Sequence, residues 1–377
     1  MTRKIAKLLK TPFFCTAMAI FFGFMVACGI LLLTGYSASE SLAVMFKAVF
    51  SRPKFLLNVI LKSTPVILTG LSVAFAFKSG LFNIGAEGQY IISTVASTIT
   101  GILFDFHPII QIPLVILSGM LAGGILGGIV GILKSKFGIH EVLTSIMFNW
   151  IALYLCNFVV NVERFHKPDS DGTYSINPSG FTLLLNDWKF SEEGRNFLKG
   201  NPILNDMILK TDFSLNFLIA VLMAFVVWVI IYKTKKGYEF RVSGLNPDAA
   251  QKAGINVQRN IIYTMIISGL LSGLAGAFSI TGTSTHNIQT LAIFENYGFN
   301  GLSVALIAGS SPLGCVLSGL VFSALIYAGQ SLQFKIGAPS EIVNIMIGVI
   351  VFFVALVRIV PGLIDKFLER EERLNVK

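Results

Sequence analysis

Apolar runs long enough to cross a lipid bilayer recur along almost the whole of this 377-residue chain. A helix needs about 20 apolar residues to cross a hydrocarbon core of ~30 Å, and within lipid only helices and closed barrels satisfy the backbone hydrogen bonds. Hydrophobic residues make up 54% of the sequence and charged residues only 13%, well below the charged share of typical soluble domains. The sequence therefore predicts an all-α, polytopic integral membrane protein.

We expect a single transmembrane domain over residues 1–377. The predicted spans lie near residues 12–34, 57–77, 83–104, 109–133, 141–162, 213–232, 261–282, 314–334 and 340–360, with a shorter apolar piece near 296–310.

Positive charge is concentrated in alternate connecting segments. If the N-terminus is cytosolic, the inside segments hold 18 of the 29 Lys and Arg residues and 8 of the 20 acidic residues, while the outside segments hold 11 basic and 12 acidic residues. Basic loops favour the cytosolic side, so we expect both termini to be cytosolic. This requires an even number of crossings, so the piece near 296–310 is predicted to cross as well, giving about ten helices, some short or broken.

Two polar segments interrupt the apolar pattern. Residues 163–212 are predicted to form an external loop and residues 233–260 a cytosolic loop. No phosphate-binding motif of the GxxxxGK[ST] kind is present, so the chain is not expected to be an enzyme that hydrolyses ATP itself. The four cysteines are isolated from one another, so the sequence predicts neither a metal site nor another cofactor. The sequence has no basic face with interleaved aromatic residues, so nucleic acid binding is not predicted.

The cytosolic loop contains a short helix with clear start and stop signals, within the sequence GLNPDAAQKAGI. Asn246 suits an N-cap, Pro247 the first helical position and Gly254 the end of the helix. At about 100° per residue, three alanines share one face and polar residues lie opposite. Such a face favours close docking of another protein, here a coupling helix, although an ordinary connecting helix is the alternative. The coupling residues are predicted to be Asn246, Pro247, Asp248, Ala249, Ala250, Lys252, Ala253 and Gly254.

A second polar cluster opens the predicted span at 83–104, in the sequence GLFNIGAEGQY. Asn83, Glu87 and Gln89 lie among three glycines, and polar groups at membrane depth usually face a cavity or a partner. One interpretation places them beside a translocation path or gate. The alternative is a cap, with Glu87 near the positive end of the following helix.

Few other polar side chains occur within the spans. Lys62 and Thr64 lie in the second span, Asn149 in the fifth, and Asn300 and Ser303 in the short piece near 296–310. Each can hydrogen-bond a polar solute or a neighbouring helix. We include Asn149, Asn300 and Ser303 with Asn83, Glu87 and Gln89 as candidate residues of the translocation path.

Small residues recur at a spacing of four in one predicted span. They are Gly119, Gly123, Gly127 and Gly131, and the segment from Ser268 to Gly276 is similarly rich in Gly and Ser. Small residues at this spacing let two helix backbones approach closely. The pattern predicts a tight helix–helix contact rather than a ligand site.

Three runs resemble the permease family of ABC importers that serves simple sugars, branched-chain amino acids and nucleosides. They read KSTPVILTGLSVAFAFKSGLFNIGAEGQ, GLNPDAAQKAGINVQRNIIYTMIISGLLSGLAGAF and YGFNGLSVALIAGSSPLG, within a similarity over about residues 56–362 that is closest to the nucleoside branch. The resemblance implies a multi-pass protein of the bacterial plasma membrane with around ten helices.

The resemblance also implies partners: cytosolic ATPase subunits, a second homologous permease (a heterodimer is expected) and an extracytoplasmic solute-binding lipoprotein. By the same resemblance, residues 246–255 would dock in a groove of the ATPase. The implied function is import of a purine or pyrimidine nucleoside. The alternatives are a simple-sugar permease of the same family and a stand-alone, ion-coupled secondary transporter.

Overall fold

The computed structural model describes residues 12–356 and is predominantly helical. The helices are α1 (Pro12–Leu33), α2 (Ala38–Phe50), α3 (Pro53–Lys78), α4 (Ala86–Leu103), α5 (Pro108–Phe137), α6 (Glu141–Val160), α7 (Asn186–Phe190), α8 (Glu192–Lys199), α9 (Pro202–Leu204), α10 (Asn216–Lys233), α11 (Lys235–Leu245), α12 (Pro247–Lys252), α13 (Val257–Thr281), α14 (Tyr297–Ile307), α15 (Pro312–Ile336) and α16 (Ser340–Leu356). Within residues 12–356 there are isolated β-bridges but no strand. The predicted all-α, polytopic fold is confirmed.

Six of these helices are long and apolar enough to cross a membrane: α3, α5, α6, α10, α13 and α15. Shorter apolar helices lie at 21–33, 297–307 and 341–353. Each predicted span corresponds to one helix of the structure. The basic terminal segments on which the predicted orientation partly rests, residues 1–11 and 357–377, lie outside the described residues.

The chain divides into two compact units, and the prediction of a single domain stays a prediction. The smaller unit comprises the residues up to Ser51 together with those from Ala324 onwards. Within it α1 packs on α16, where a Cβ added at Gly23 would lie 2.8 Å from the Cα of Ile350. The larger unit, residues 52–323, contains all the candidate functional residues.

Close packing of α5 against α13 forms the centre of the larger unit. A Cβ added at Gly123 would lie 2.6 Å from the carbonyl oxygen of Gly269, and one added at Gly131 would lie 3.0 Å from the Cα of Ile262. Only glycine allows backbones to approach this closely. The predicted helix–helix contact is therefore confirmed.

Helix α14 is only 11 residues long, or roughly 16 Å, about half the thickness of the hydrocarbon core. It follows a non-helical segment and begins after Asn296, which has φ +67°. It is followed by Gly309 and Ser310, with φ +68° and +54°. The prediction of a short, broken element is confirmed, and a membrane crossing over 296–310 stays a prediction.

The predicted external loop is ordered and covers the end of α13. Backbone amides of Thr173 and Ile176 donate hydrogen bonds to the carbonyl oxygens of Ile288 and His286, each at 2.9 Å. The His286 ring also stacks on Phe181 with 3.5 Å between ring centroids. Burial lowers the pKa of His286 below 6.5, despite the opposing hydrogen bond to Ile280 and the nearby Asp212.

Candidate translocation cavity and coupling segment

A cavity of about 330 Å³ lies within the larger unit, a volume in the usual range for small-molecule sites. Its walls come from α3, α4, the C-terminal end of α13, the N-terminal end of α14 and the loop residues around 212–216 and 282–291. The cavity therefore lies where the loop 163–212 and the segment after α13 meet the helix bundle.

Aromatic rings and polar side chains share the wall of this cavity. Tyr90 and Tyr297 face each other with 5.0 Å between ring centroids, and Phe278 adds a third ring. Most of the remaining lining side chains carry a hydroxyl or an amide, among them Asn58, Thr94, Ser279, Thr283, Asn287 and Gln289. Rings that stack on a planar apolar group, beside groups that hydrogen-bond hydroxyls, suit a solute with both kinds of surface.

Three buried atoms of the lining residues have no hydrogen-bond partner among the residues that the structure describes. They are Oγ1 of Thr64, Oδ1 of Asn216 and Oδ1 of Asn287. The Asn216 side chain is held in place, because its Nδ2 donates to Oγ1 of Thr182 at 3.0 Å. Leaving a buried acceptor unpaired costs about 1–3 kcal/mol. These three oxygens are therefore candidates for hydrogen bonds with a solute or with water.

The ionisable groups of the cavity have both signs. Lys62 of α3, Asp212 and Glu295 all line the cavity. Asp212 is fixed by the backbone amide of Ser284, which donates to its Oδ2 at 3.1 Å. A site with one amine and two carboxylates is not built for a polyanion.

The predicted path residues Asn83 and Gln89 do not line this cavity. Both are fully buried, and Nδ2 of Asn83 donates to Oε1 of Gln89 at 2.9 Å and to Oγ of Ser268 at 2.7 Å. The same amide donates to Oγ of Ser72 at 3.2 Å. Asn83, in the α3–α4 connection, is thus bonded to Gln89 of α4, to Ser72 of α3 and to Ser268 of α13. Both side chains are therefore part of the packing between helices.

Glu87 is also fully buried and does not line the cavity. Its two carboxylate oxygens accept hydrogen bonds from the backbone amides of Asn296 at 2.7 Å and Gly298 at 2.6 Å. The capping interpretation is therefore closer to the structure, but the capped helix is α14 rather than α4.

The other three candidates have local structural contacts. Oδ1 of Asn149 accepts from the backbone amide of Gly88 at 2.8 Å. Asn300 and Ser303 are half-buried on α14, and Oγ of Ser303 donates to the Phe299 carbonyl at 3.4 Å. None of the three lines the cavity.

The predicted coupling helix is present as α12, with the expected caps. Oδ1 of Asn246 accepts from the backbone amide of Ala249 at 3.0 Å, and Gly254 takes φ +78°. Pro247, Asp248, Ala249, Lys252 and Ala253 are exposed. Ala250 is not part of this surface, because it is 0% exposed and packs into its own chain. The prediction that all three alanines face a partner is wrong for Ala250.

The segment before α12 is anchored to the helix bundle at a close backbone contact. A Cβ added at Gly80 would lie 2.5 Å from the Cα of Gly244, and Gly80 has φ +73°. Nearby, Phe240 of α11 packs on Phe75 of α3 with 5.6 Å between ring centroids. Helix α11 and the residues just after it are therefore in direct contact with the end of α3 and the α3–α4 connection, which leads to Glu87.

Sequence reasoning noted Lys62 and Thr64 as polar residues within a span but did not include them in the path, and it missed Tyr90, Asn216 and Tyr297 as cavity residues. A tyrosine within an apolar span has no distinctive sequence pattern. The one available signal was the polar start of α4, one helical turn before Tyr90.

A bundle of membrane-length helices around a polar cavity, with a capped surface helix on a connecting loop, defines a membrane transport protein of the permease class. The chain belongs to the family described as branched-chain amino acid transport system / permease component, which matches residues 55–355. Such a component is one part of a transport system, and the family implies an ATPase subunit and a substrate-binding partner.

Curated relatives align over most of the chain. The chain is 36% identical to the guanosine ABC transporter permease protein NupP of Bacillus subtilis, over 92% of this chain and 95% of the relative. It is 33% identical to the nucleoside ABC transporter permease protein NupB of Lactococcus lactis, over 92% of each chain. It is 27% identical to the glucose ABC transporter permease protein TsgB13 of Haloferax volcanii, over 83% of this chain and 79% of the relative.

Proposed function

We propose that this chain is the permease subunit of an ATP-driven importer and that a nucleoside crosses the membrane by way of the cavity between α3, α4, α13 and α14. The observation that carries the proposal is the lining of that cavity. The adjoining rings of Tyr90 and Tyr297 form an aromatic surface that suits a planar base, since a base stacked on an aromatic side chain gains about 1–3 kcal/mol. The surrounding hydroxyl and amide groups suit the hydroxyls of a ribose.

The names of two relatives support the same solute class, since they are described as guanosine and nucleoside permeases. A simple sugar is the second candidate because another relative is described as a glucose permease. The aromatic pair favours the nucleoside, because a planar base stacks on a ring with its whole face, whereas a monosaccharide offers only its C–H groups.

We further propose that a separate ATPase drives transport from the cytosolic side, binding at the exposed residues of α12. In that orientation the loop 163–212 and the mouth of the cavity face outwards, where a binding lipoprotein would deliver solute. A second, homologous permease would complete the membrane assembly, and both termini would be cytosolic. The exposed Ala249 and Ala253 support the docking site, since small side chains let another surface approach closely.

A continuous set of contacts supports transmission from α12 to the cavity. It runs from α11 through the Gly80–Gly244 contact to the α3–α4 connection. Oε1 of Glu141 accepts from the backbone amide of Phe82 there at 3.4 Å, and Glu141 is paired with Lys134 at 2.5 Å. Because α4 starts at Ala86, displacement of this connection would shift Glu87 and Tyr90 together.

Uptake of labelled nucleosides tests the function. Cells expressing this chain with its ATPase, the second permease and the binding lipoprotein should accumulate guanosine or cytidine, with competition by other nucleosides but not by a hundredfold excess of glucose. Tyr297→Ala should raise the half-saturation concentration roughly tenfold, because about 1–3 kcal/mol of stacking is lost. Tyr263→Ala, on α13 and outside the cavity, is the matched control. Competition by glucose equal to that by nucleosides would support the sugar permease instead.

A further inference from the structure

Glu87 joins two parts of the chain that lie more than 200 residues apart. The first amides of a helix have no partner within that helix, and at membrane depth an unpaired amide is costly. At the start of α14 the Asn296 side chain provides no cap. The Glu87 carboxylate takes its place, and the positive end of the helix dipole favours the carboxylate.

The residues held by Glu87 alternate with residues of the cavity wall. Glu87 binds the amides of Asn296 and Gly298, whereas the side chains of Glu295 and Tyr297 line the cavity. One side of the 295–298 stretch is thus held by α4 while the other faces the proposed solute.

The same helix supplies the opposite ring of the aromatic pair. Tyr90 lies three residues after Glu87 on α4, which places the two residues on the same face, and its ring centroid is 5.0 Å from that of Tyr297. The spacing between the rings therefore depends on how α14 is docked on α4, and Glu87 provides two hydrogen bonds of that docking.

Two further contacts hold the stretch in place. Oγ1 of Thr69 donates to the carbonyl oxygen of Tyr297 at 2.9 Å. A Cβ added at Gly298 would overlap the backbone of Glu87. The start of α14 is therefore held from α3 and α4 at once, and the glycine permits the carboxylate to come close enough to bond both amides.

We propose that Glu87 is a positioning residue for solute selectivity: by holding the 295–298 stretch against α4, it sets the distance between the rings of Tyr90 and Tyr297 that receive the solute. This rests on the proposed function in so far as the cavity is the solute site. Glu87 itself does not contact the solute.

Glu87→Gln is the primary variant, because it keeps the size of the side chain and replaces one acceptor oxygen by an NH2 group that faces an amide donor. Gly298→Ala perturbs the same contact from the α14 side. The matched control is Gln111→Ala, which removes the hydrogen bond of a buried side chain to the carbonyl oxygen of Phe104, at the end of α4 away from Glu87.

The first measurement needs no solute. In a cysteine-free background, Glu295→Cys is labelled from outside with a membrane-impermeant thiol reagent, and the rate is expressed per folded protein. We expect Glu87→Gln and Gly298→Ala to change this rate at least threefold and Gln111→Ala to leave it unchanged. Equal rates in the parent and in Glu87→Gln would overturn the proposal.

The second measurement compares half-saturation concentrations for guanosine and cytidine per folded molecule. We expect Glu87→Gln to change their ratio at least threefold, with unchanged ATPase association, and Gln111→Ala to leave the ratio unchanged. An unchanged ratio with the loss of uptake following the loss of folded protein would make Glu87 purely structural and refute the proposal. If the parent transports no nucleoside but the labelling rate changes as expected, the proposed function fails and the positioning role stands.

Discussion

Substitution of Ala249 by arginine tests whether α12 is a docking helix and separates docking from folding. Ala249 is exposed, whereas its neighbour Ala250 is 0% exposed. Exposed substitutions usually change chain stability by less than about 0.5 kcal/mol. A bulky cation in a packed interface should cost about 3 kcal/mol, or roughly 150-fold in affinity. We therefore expect Ala249→Arg to release the ATPase and abolish uptake while the amount of folded permease stays normal.

The neighbouring positions provide the comparison for that experiment. Ala250→Arg would bury an unpaired charge in the chain itself, so we expect loss of folded protein rather than selective loss of the ATPase. Gln251 lies about 200° from Ala249 around the helix, so Gln251→Arg should retain the ATPase. Co-purification of the ATPase, normalised to folded permease, measures all three variants. Full ATPase retention and normal uptake in Ala249→Arg would refute docking through this face.

Three further predictions concern packing, topology and pH. Gly127→Leu should lower the free energy of unfolding by about 1–3 kcal/mol, because α13 leaves no room for a side chain there. Gly348→Ala should leave the stability unchanged, because a Cβ at that position meets nothing within 4 Å. Thermal denaturation in detergent compares the two variants. In sealed cells an impermeant thiol reagent should label Ser191→Cys but not Gln251→Cys, and the reverse pattern would overturn the proposed orientation. Burial lowers the pKa of His286, so its contribution to stability is fully present above about pH 6.5 and is lost as the pH falls from there through the lowered pKa. Between pH 7 and pH 5 the Tm of the parent protein should therefore decrease more than the Tm of His286→Phe. Equal decreases in the two proteins would contradict this.

The sequence predicted the helical elements well because their signals are local. Span 109–133 corresponds to Pro108–Phe137 and span 141–162 to Glu141–Val160, since apolar length and flanking polar residues set both. The caps of α12 were also correct, because Asn246 and Gly254 act through their own backbone neighbours. The face of α12 was wrong at Ala250, because the packing of a loop against its own bundle is not encoded in a six-residue pattern.

The glycine run shows how far a local pattern extends. Spacing by four residues puts Gly119, Gly123, Gly127 and Gly131 on one face of a helix, so a close contact was predictable. Its partner, the segment from Ser268 to Gly276, was recognisable as similarly small-sided. Only the structure pairs the two faces, since many small-residue faces are compatible with one another before the chain is folded.

The sequence by itself determined that the chain is a multi-pass helical membrane protein, with a capped helix on a loop and an unusual polar cluster at the start of one span, because length, hydropathy and capping are properties of neighbouring residues. Only the tertiary structure decided what the cluster does. Water, a solute and another segment of backbone can each donate hydrogen bonds to the buried carboxylate of Glu87, and the sequence does not distinguish these partners. The fold brings Asn296 and Gly298 to the carboxylate and leaves Tyr90 and Tyr297 to line the cavity, because these contacts form between segments that are distant along the chain.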